Sequence, residues 1–581
     1  MPQSPSQGND LSGIRAPRAC VPCAAAKVRC ETENGQIFCK RCLRLKKACR
    51  AQPPGAHRRK PRQESDVTRL EQKLDGVTAI LTASQLGALK TTNSPLQLPT
   101  VPLLSLTACF DQFIKSRDEA RLMLDVFRNE FMPYFPFVVI QPHTSLEELR
   151  ERKPFLLMVV MLVTCRHDIT RQTALGKALK ELIGQKVMTH GEQSLDLLQG
   201  LLIYLAWYNV NIHLGGQLTV IVHLVMSVMI DLGLNKHYVP RKYAKPQRDY
   251  FRLDRQEGAR ETLEDRRTYL GCFYLTSLIS MTARDFEAIR YTKYTEECYT
   301  IISEAAELPS DIYLVQLTRL SYFVDKISRT IIQRDWDPSS SISAPIGAYV
   351  KSLETELRKY KASMTLDIAQ SVLLLMHYHA VETFLCEIAL DENISASRYG
   401  SFSTTRLDLL FACLTSAKNF FELFHSLPSS IYFDLPYCIF TIVSHLFVDL
   451  SKLALCQHEG WDQNYVASCL NFGDVMDRLS KKTREASEFL QTNHSAADAT
   501  ALQNTLPRCV PPIWLTVPAK IQDIKAVHEA RRAEQSRKAQ PESQDCDVGV
   551  ELPGLPFESA LLPDTFSFFE CLDEPLWQNW A

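Results

Sequence analysis

Six cysteines near the start of the 581-residue chain follow a repeated spacing. They are Cys20-x2-Cys23-x6-Cys30 and, eight residues later, Cys39-x2-Cys42-x6-Cys49. A Cys-x2-Cys turn presents two thiolates to one zinc ion, which prefers four tetrahedral ligands. Six cysteines complete two such sites only if two thiolates bridge both metals. The repeat therefore predicts a pseudo-two-fold cluster of two Zn²⁺ ions, with a short helix following each Cys-x2-Cys pair.

This cysteine-rich segment is too small to fold on apolar burial. A core of about thirty residues hides little surface, so the metal must supply the folding free energy. The other twelve cysteines lie scattered, mostly in apolar segments and without paired spacing. The first residues contain no apolar signal sequence. We therefore expect a reducing compartment rather than a disulfide framework.

Charge is unevenly distributed along the chain. The formal net charge is −1, yet residues 1–62 carry fourteen Lys and Arg against three Asp and Glu, a net of +11. Residues 541–581 contain nine Asp and Glu and no Lys or Arg. A basic head and an acidic tail are typical of a chain that meets nucleic acid at one end. Residues 1–17 are polar, and we expect them to be disordered.

The segment from Arg18 to Cys49 resembles the DNA-binding head of the fungal binuclear zinc cluster (Zn2Cys6) transcription factors. All six cysteines stand at spacings which that family permits. The resemblance implies a DNA-binding domain over residues 18–50, two Zn²⁺ ions, double-stranded DNA as partner and a nuclear location. It also implies that Cys20 and Cys39 bridge the metals. Cys23 and Cys30 would then complete one site, and Cys42 and Cys49 the other.

The same resemblance suggests how the head meets DNA. Lys27 stands three residues before the third cysteine, where the family's lysine reaches base edges, and a CGG-like half-site is implied. Many relatives carry basic residues after the second cysteine, whereas this chain has Ala24, Ala25 and Ala26. Some remaining basic residues could simply be solvated or serve nuclear import. We predict phosphate contacts from Arg15, Arg18, Arg29, Lys40, Arg41, Arg44, Lys46 and Lys47.

Residues 51–66 form a Pro- and Arg-rich linker, and an apolar heptad pattern follows it. Apolar residues recur at alternating steps of three and four within 67–90, which is typical of a coiled-coil seam. An ordinary amphipathic helix is the alternative, because the seam runs for under three heptads. We predict a homodimer formed through this helix. The predicted dimerisation residues are Val67, Leu70, Leu74, Val77 and Leu81.

A second linker over 91–108 leads to a predicted all-α regulatory domain over 109–525. Helical periodicity continues through this region and strand alternation is nearly absent. Its stretches 131–138, 231–235 and 264–273 resemble the family's middle homology domain. The clearest helical segments are Ala120–Met132, Leu197–Tyr208, Gly216–Leu232, Arg266–Met281, Ile368–Leu390 and Thr405–Phe424.

One stretch of this region raises the question of a membrane span, since no charged residue lies between Asp196 and Asp231. Polar residues around Asn209 and Gly215 divide it into two pieces. Each piece is shorter than the roughly 20 apolar residues that a spanning helix needs. We therefore predict two buried helices and no membrane partner.

No motif of an enzyme occurs in the chain. Zinc-protease, nucleophile-elbow, phosphate-loop and dinucleotide-binding patterns are all missing from the sequence. His377 and His379, with Glu382, are the nearest approach to a helical metal site. A di-iron bundle needs two Glu-x-x-His pairs and further glutamates. We therefore interpret these histidines as surface or satisfied core residues, and we predict no catalytic residues.

The chain ends in a predicted linker over 526–550 and an acidic, aromatic segment over 551–581. Acids keep exposed aromatic side chains in solution for a coactivator, so we predict a disordered activation segment. The alternative is a peptide whose aromatic rings dock on the helical region.

Taken together, the leading hypothesis is a dimeric activator of RNA polymerase II genes. A repressor, a monomeric regulator and a zinc-dependent protein-interaction module remain alternatives. The target genes stay open, with secondary metabolism, nutrient use and drug response as the candidates.

Overall fold

The structure is a computed structural model, and the chain divides into two compact units, residues 1–101 and 102–581. Every secondary-structure element in the described residues is helical, which confirms the prediction of a mainly α chain. The predicted coiled coil at 67–90, the linker at 51–66 and the segments 1–17 and 551–581 lie outside these residues. The structure describes residues 20–26, 30–31, 38–50, 106–235, 261–282, 286–332, 346–364, 368–391, 406–495, 509–510 and 512–539.

The first unit contributes two helices of five residues each, α1 (Val21–Ala25) and α2 (Lys40–Arg44). The second unit contributes seventeen α-helices within the described residues. They are α3 (Leu106–Phe113), α4 (Arg117–Val126), α5 (Leu146–Arg152), α6 (Pro154–Thr164), α7 (Ile169–Gly184), α8 (Leu195–Ala206), α9 (Leu218–Asp231), α10 (Leu263–Thr282), α11 (Lys293–Ala305), α12 (Ser310–Ile327), α13 (Ile346–Ser363), α14 (Ile368–Cys386), α15 (Arg406–Ser426), α16 (Tyr437–Leu455), α17 (Gln463–Cys469), α18 (Phe472–Ser495) and α19 (Pro512–Ala539).

Helix α6 forms the centre of the helical body. Its side chains from Phe155 to Thr164 are all buried, as expected of a helix that is apolar on every face. Pro154 occupies its first turn, where a missing N–H costs nothing. The Asp196 carboxylate accepts the N–H groups of Phe155 and Leu156 at 3.0 and 2.8 Å. This contact joins the start of α6 to the start of α8, which packs along it.

Several helices begin where the sequence offers a short polar side chain. The Ser116 hydroxyl accepts the N–H of Glu119 at the start of α4, and Ser145 does the same at the start of α5. Asp168 caps α7 and Ser194 caps α8 in the same way. Each cap satisfies a backbone donor that the helix itself leaves unpaired. Local sequence therefore fixes where these helices start.

The predicted helical segments agree with the observed helices to within a few residues. The stretch between Asp196 and Asp231 folds as two helices, α8 and α9, as predicted. Helix α8 is buried, but α9 buries only one face and leaves Val220 and Ile230 exposed, so the prediction that both are buried is wrong for α9. Two other helices, Val372–Leu390 and Tyr437–Leu455, are long and apolar enough to cross a membrane by length and composition. Most of each is buried inside the body, as in the core helices of soluble proteins.

The last helix differs from the prediction of a linker over 526–550. Helix α19 runs without a break to Ala539 and packs along α18. The first half of α19 is anchored by three buried side chains, Trp514, Val517 and Ile521. Further along the helix, the His528 ring stacks on Phe472 with 4.0 Å between the ring centroids. The first helix of the body likewise begins earlier than expected, at Leu106 inside the predicted 91–108 linker.

Candidate metal centre and nucleic-acid interface

The two short helices of the first unit place the cysteines. Each helix begins directly after the first cysteine of a Cys-x2-Cys pair, Cys20 or Cys39, and contains the second, Cys23 or Cys42. The prediction that a helix follows each pair is therefore corrected, because the helix includes the pair's second cysteine. Residues three apart lie on one face of a helix, so the turn itself brings both thiols to the same side.

Four of the six thiols meet in a buried group. Sγ of Cys20 lies 3.7 Å from Sγ of Cys39 and 3.6 Å from Sγ of Cys42, and Sγ of Cys23 lies 3.6 Å from Sγ of Cys39. Thiolates bound at about 2.3 Å to a tetrahedral ion are separated by about 3.8 Å. The thiols therefore already stand close to the separations that a metal imposes. Cys20, Cys23, Cys39 and Cys42 form a group able to hold a metal ion.

Cys30 and Cys49 occupy matching positions at the edge of this group. The backbone N–H of Cys20 donates to Sγ of Cys30 at 3.4 Å, and that of Cys39 donates to Sγ of Cys49 at 3.5 Å. Both outer cysteines are half-buried and pack against the four inner ones. The same contact at the same ten-residue separation relates the two halves of the sequence, as pseudo-two-fold symmetry requires.

Backbone geometry also prepares one thiol for metal binding. Cys39 precedes α2, and the N–H of Cys42 donates to Sγ of Cys39 at 3.4 Å. This contact lowers the pKa of the Cys39 thiol to about 6. A thiolate at the start of a helix is favoured for the same reason in other proteins. Cys39 therefore contributes a thiol that deprotonates more readily than an ordinary cysteine.

Arg41 makes a contact that its position in the sequence does not indicate. Its Nη1 lies 4.0 Å from Sγ of Cys23, so the guanidinium of the second half reaches a thiol of the first. Its side chain is accordingly half-buried, whereas Lys40, Arg44, Lys46 and Lys47 are exposed. Of the predicted phosphate contacts that the structure describes, these four are better placed than Arg41 to meet a polyanion. The order of charges along the sequence carried no sign of this difference.

Lys46 adopts a backbone conformation that is rare for a residue with a side chain. Its φ is 48°, in the left-handed region. The N–H of Lys46 donates to the carbonyl of Leu43, and that of Lys47 donates to the carbonyl of Cys42. This is the Schellman ending of a helix, in which glycine usually holds the left-handed position. The turn directs the chain from α2 back toward Cys49.

Several predicted site residues lie outside the described part of the chain. They are Lys27, Arg15, Arg18 and Arg29 of the DNA-binding segment and Val67, Leu70, Leu74, Val77 and Leu81 of the dimerisation helix. Their roles stay predictions.

The histidines considered in the sequence analysis are satisfied core residues, as interpreted. His377 Nε2 lies 2.9 Å from the Tyr274 hydroxyl, and His379 Nδ1 lies 2.7 Å from the Glu382 carboxylate. The structure instead brings together His445 and Asp449 of α16 with Glu387, which the sequence analysis missed. The four-residue spacing of His445 and Asp449 places them on one face of α16 and could have been recognised in the sequence. The sequence does not indicate that Glu387 joins them, because it lies 58 residues before His445.

The described part of the chain thus combines a small cysteine-rich head with a large all-helical body. The profile of the WAR1 C-terminal domain family matches residues 109–494, which is most of the helical body. The chain therefore belongs to the WAR1 C-terminal domain family. No solved structure matches it.

Several named fungal proteins are similar to this chain over more than half of its length. Transcription factor opdL of Penicillium oxalicum is 29% identical over 497 residues, 82% of this chain and 86% of its own length. Transcription factor himD of Aspergillus japonicus is 29% identical over 420 residues, covering 71% of this chain and 69% of its own. Transcription factor pbcR of Emericella nidulans is 25% identical over 395 residues, which cover 60% of this chain and 52% of its own length. The chain is thus similar to fungal proteins that are named transcription factors.

Proposed function

We propose that the chain is a nuclear transcription factor that binds specific DNA sequences through a two-zinc cysteine cluster. The observation that carries this proposal is the geometry of the thiols. Four buried sulfur atoms lie at separations close to the edges of tetrahedral zinc sites, and two outer thiols relate to them by the same contact. The names of the relatives support the same function.

Each zinc ion would take four thiolates, and two of these would serve both ions. Cys20 and Cys39 are suited to the shared positions, because the sulfur atom of each lies within 3.7 Å of two other sulfur atoms of the group. Cys23 and Cys30 would complete one site, and Cys42 and Cys49 the other. Zinc supplies no redox chemistry in such a closed site and acts as the structural core. The guanidinium of Arg41 would offset part of the negative charge near Cys23.

The charge of the head favours a polyanionic partner. Six thiolates and two zinc ions together contribute a charge of −2, so a head of net +11 remains strongly cationic. Arg44, Lys46 and Lys47 project from α2 and the turn after it into solvent. Lysine and arginine contacts to phosphates fix the register of a protein on DNA and make its affinity depend on salt. We propose that Lys27 contacts the bases of a CGG-like half-site.

Dimerisation through residues 67–90 and activation through residues 551–581 complete the proposal. The heptad seam follows the head at a short distance, as expected if two heads read two half-sites. The tail combines acids with phenylalanine and tryptophan, the composition of segments that recruit coactivators. The helical body carries no catalytic role in this proposal. We propose that the genes it regulates belong to a metabolic gene cluster.

The experiment that tests this function is selection of DNA by the zinc-loaded full chain from randomised duplexes, followed by sequencing. We expect enrichment of one motif with two CGG-like triplets at fixed spacing. A single enriched triplet would contradict dimeric binding and leave sequence-specific recognition standing. No enrichment by a chain that retains its zinc would contradict the proposed function and favour a protein-interaction role for the head.

A further inference from the structure

Three metal-ligating side chains meet inside the helical body, remote in sequence from the cysteine cluster. His445 and Asp449 stand one turn apart on α16, and Glu387 lies in the 3₁₀ turn that directly follows α14. His445 Nε2 lies 2.6 Å from Oε2 of Glu387 and 3.5 Å from Oδ2 of Asp449. One donor atom from each residue lies within 4.8 Å of both others. The three side chains therefore converge on one point.

This point lies in the interior of the body. The side chains are 7% exposed at Glu387, 12% at His445 and 3% at Asp449, and the Phe384 ring packs against the imidazole at 6.3 Å between centroids. Two carboxylates placed together away from water are costly unless positive charge compensates them. One divalent cation neutralises both carboxylates together and allows the imidazole to remain neutral, the form in which it binds metals.

We infer that Glu387, His445 and Asp449 form a binding site for one Zn²⁺ ion. Zinc takes imidazole nitrogen and carboxylate oxygen at about 2.0–2.2 Å, so its ligand atoms stand about 3.4 Å apart in a tetrahedron. The 3.5 Å between His445 and Asp449 already fits this separation. The 2.6 Å between His445 and Glu387 has to open by under about 1 Å, which a small rotation of a side chain achieves.

The positions of the ligands resemble known helical zinc sites in their spacing. Two ligands four residues apart lie on one face of a helix, and a third from another element completes the set. Three protein ligands leave a fourth position for water or another group. The ion would join α16 to the end of α14 within the region that defines the family. Its binding does not depend on the proposed function of the head.

A neighbouring pair of similar chemistry provides a matched control. His379 Nδ1 lies 2.7 Å from Oε2 of Glu382, but both residues belong to α14 and only one carboxylate faces the ring in the described structure. Such a pair offers two donors from one helix and lacks the third that closes the site at His445. We expect substitution here to affect packing and to leave metal content unchanged.

The test is the zinc content of the purified full chain, measured by elemental analysis after dialysis against zinc and then against metal-free buffer. We expect three zinc ions per wild-type chain, two of them in the head. Asp449→Asn and His445→Gln are each expected to retain two, whereas Glu382→Gln retains three. Zinc added to the metal-free protein is expected to raise the Tm of the helical body in the wild type and not in Asp449→Asn, so an impaired fold is distinguished from lost binding.

The outcomes separate this inference from the function of the head. A double substitution Cys23→Ser and Cys42→Ser is expected to lose the zinc of the head and to keep one ion that Asp449→Asn removes. Two zinc ions in the wild type, with neither body variant changing the count, would overturn the body site and leave the head intact. In that case the direct contacts of His445 with the two carboxylates account for the cluster. A single ion that is lost with Asp449→Asn would support the body site and contradict the two-zinc head.

Discussion

The cysteine head and the helical body are stabilised by different physical means. In the described head, the buried apolar group consists of cysteines alone, with Phe38, Leu43 and Leu45 exposed. In the body, one continuous core of aliphatic and aromatic side chains extends from Cys109 to Ile521. A small domain without such a core depends on its metal, whereas a large one depends on burial. The two parts should therefore fail under different conditions.

One backbone motif occurs in both parts and shows the same contrast on a smaller scale. Helix α9 ends with Gly233 at a φ of 70°, where the N–H of Leu234 donates to the carbonyl of Met229. Helix α2 ends in the same motif, but Lys46 holds the left-handed position. Glycine adopts this conformation freely, whereas a side chain makes it costly. At this pair of matching helix ends, the body has glycine, whereas the head retains a positive charge at a cost in backbone strain.

The largest effect is expected from removal of metal. A chelator strong enough to strip zinc from the full chain should unfold the head and lower specific DNA affinity by about 10³-fold or more. The helical signal in far-ultraviolet circular dichroism should fall only slightly, because the body retains its core. Affinity is measured by fluorescence anisotropy on the selected duplex, and restoration by added zinc is the control. Full DNA affinity in a chain shown to be metal-free would contradict the comparison.

The next effect concerns a buried ion pair in the body. Arg267 on α10 donates from Nε and Nη2 to the two carboxylate oxygens of Asp311 on α12, at 2.7 and 2.9 Å. Both side chains are buried, with Asp311 only 1% exposed. Asp311→Asn leaves the buried guanidinium only the exposed Glu307 carboxylate, 2.8 Å from Nη2, so we expect a loss of about 3 kcal/mol in unfolding free energy, the low end for a broken buried pair. Denaturant unfolding of the body measures this, and DNA binding at low temperature should be unchanged.

The matched control is Asp118→Asn, which removes an exposed partner of Arg121. Asp118 is 88% exposed and lies 3.2 Å from the guanidinium. Pairs in water contribute at most about 1 kcal/mol. Equal destabilisation by the two substitutions would show that the Arg267 pair is not a determinant of the body's stability.

Acid should destabilise the body through its buried histidines. Burial lowers the pKa of His377 to about 4, and its ring accepts from the Tyr274 hydroxyl only while Nε2 is unprotonated. The unfolded chain titrates near pH 6.5, so between about pH 6.5 and 4 it binds more protons than the folded chain. Stability therefore falls as pH decreases through that window, by up to about 3 kcal/mol for this one group. His425 and His528, whose pKa values are also lowered to about 4 by burial, act in the same direction.

The variant that isolates this contribution is His377→Gln. Its absolute stability will change, so the informative quantity is the slope of unfolding free energy against pH between 4 and 6.5. We expect a shallower slope than in the wild type. We expect the head to weaken in acid for a different reason, because protons would compete with the proposed zinc ions for its thiolates. Circular dichroism of the helices and DNA anisotropy separate the two transitions, and an unchanged slope in the variant would assign the acid sensitivity elsewhere.

How far the sequence predicts each part depends on the range of the contacts involved. The cysteine cluster was predictable because its ligands lie in two local turns with fixed spacing. The helices of the body were predictable from periodicity and from capping residues such as Ser116 and Ser194. The extension of α19 to Ala539 was missed because its mixed charges were interpreted as a linker. That stretch contains neither Gly nor Pro and many strong helix formers, a signal that could have found it.

Long-range contacts could not be predicted in this way. Nothing in the local sequence pairs Glu387 with His445, since they come from separate helices that tertiary packing alone brings together. The contact from Arg41 to Cys23 also crosses between the two halves of the head. Arg41 therefore looked like its neighbours Arg44 and Lys47 in a string of positive charges. Only the packed structure distinguishes a residue that contacts a thiol from residues that face solvent.

The smallest effect is expected from Lys46→Gly, which tests the comparison between the ends of α2 and α9 directly. Glycine relieves a left-handed conformation that costs a side chain about 1 kcal/mol, so the cluster should hold zinc at least as tightly against a competing chelator. The same substitution removes one predicted phosphate contact, so the slope of log affinity against log salt should shrink by about 0.9. Lys46→Ala is the matched variant, because it loses the charge and keeps the strain.

A salt slope unaltered in both variants would mean that the charge at this turn does not face DNA. A weaker zinc cluster in the glycine variant alone would mean that the Lys46 side chain, and not the turn, stabilises the end of α2.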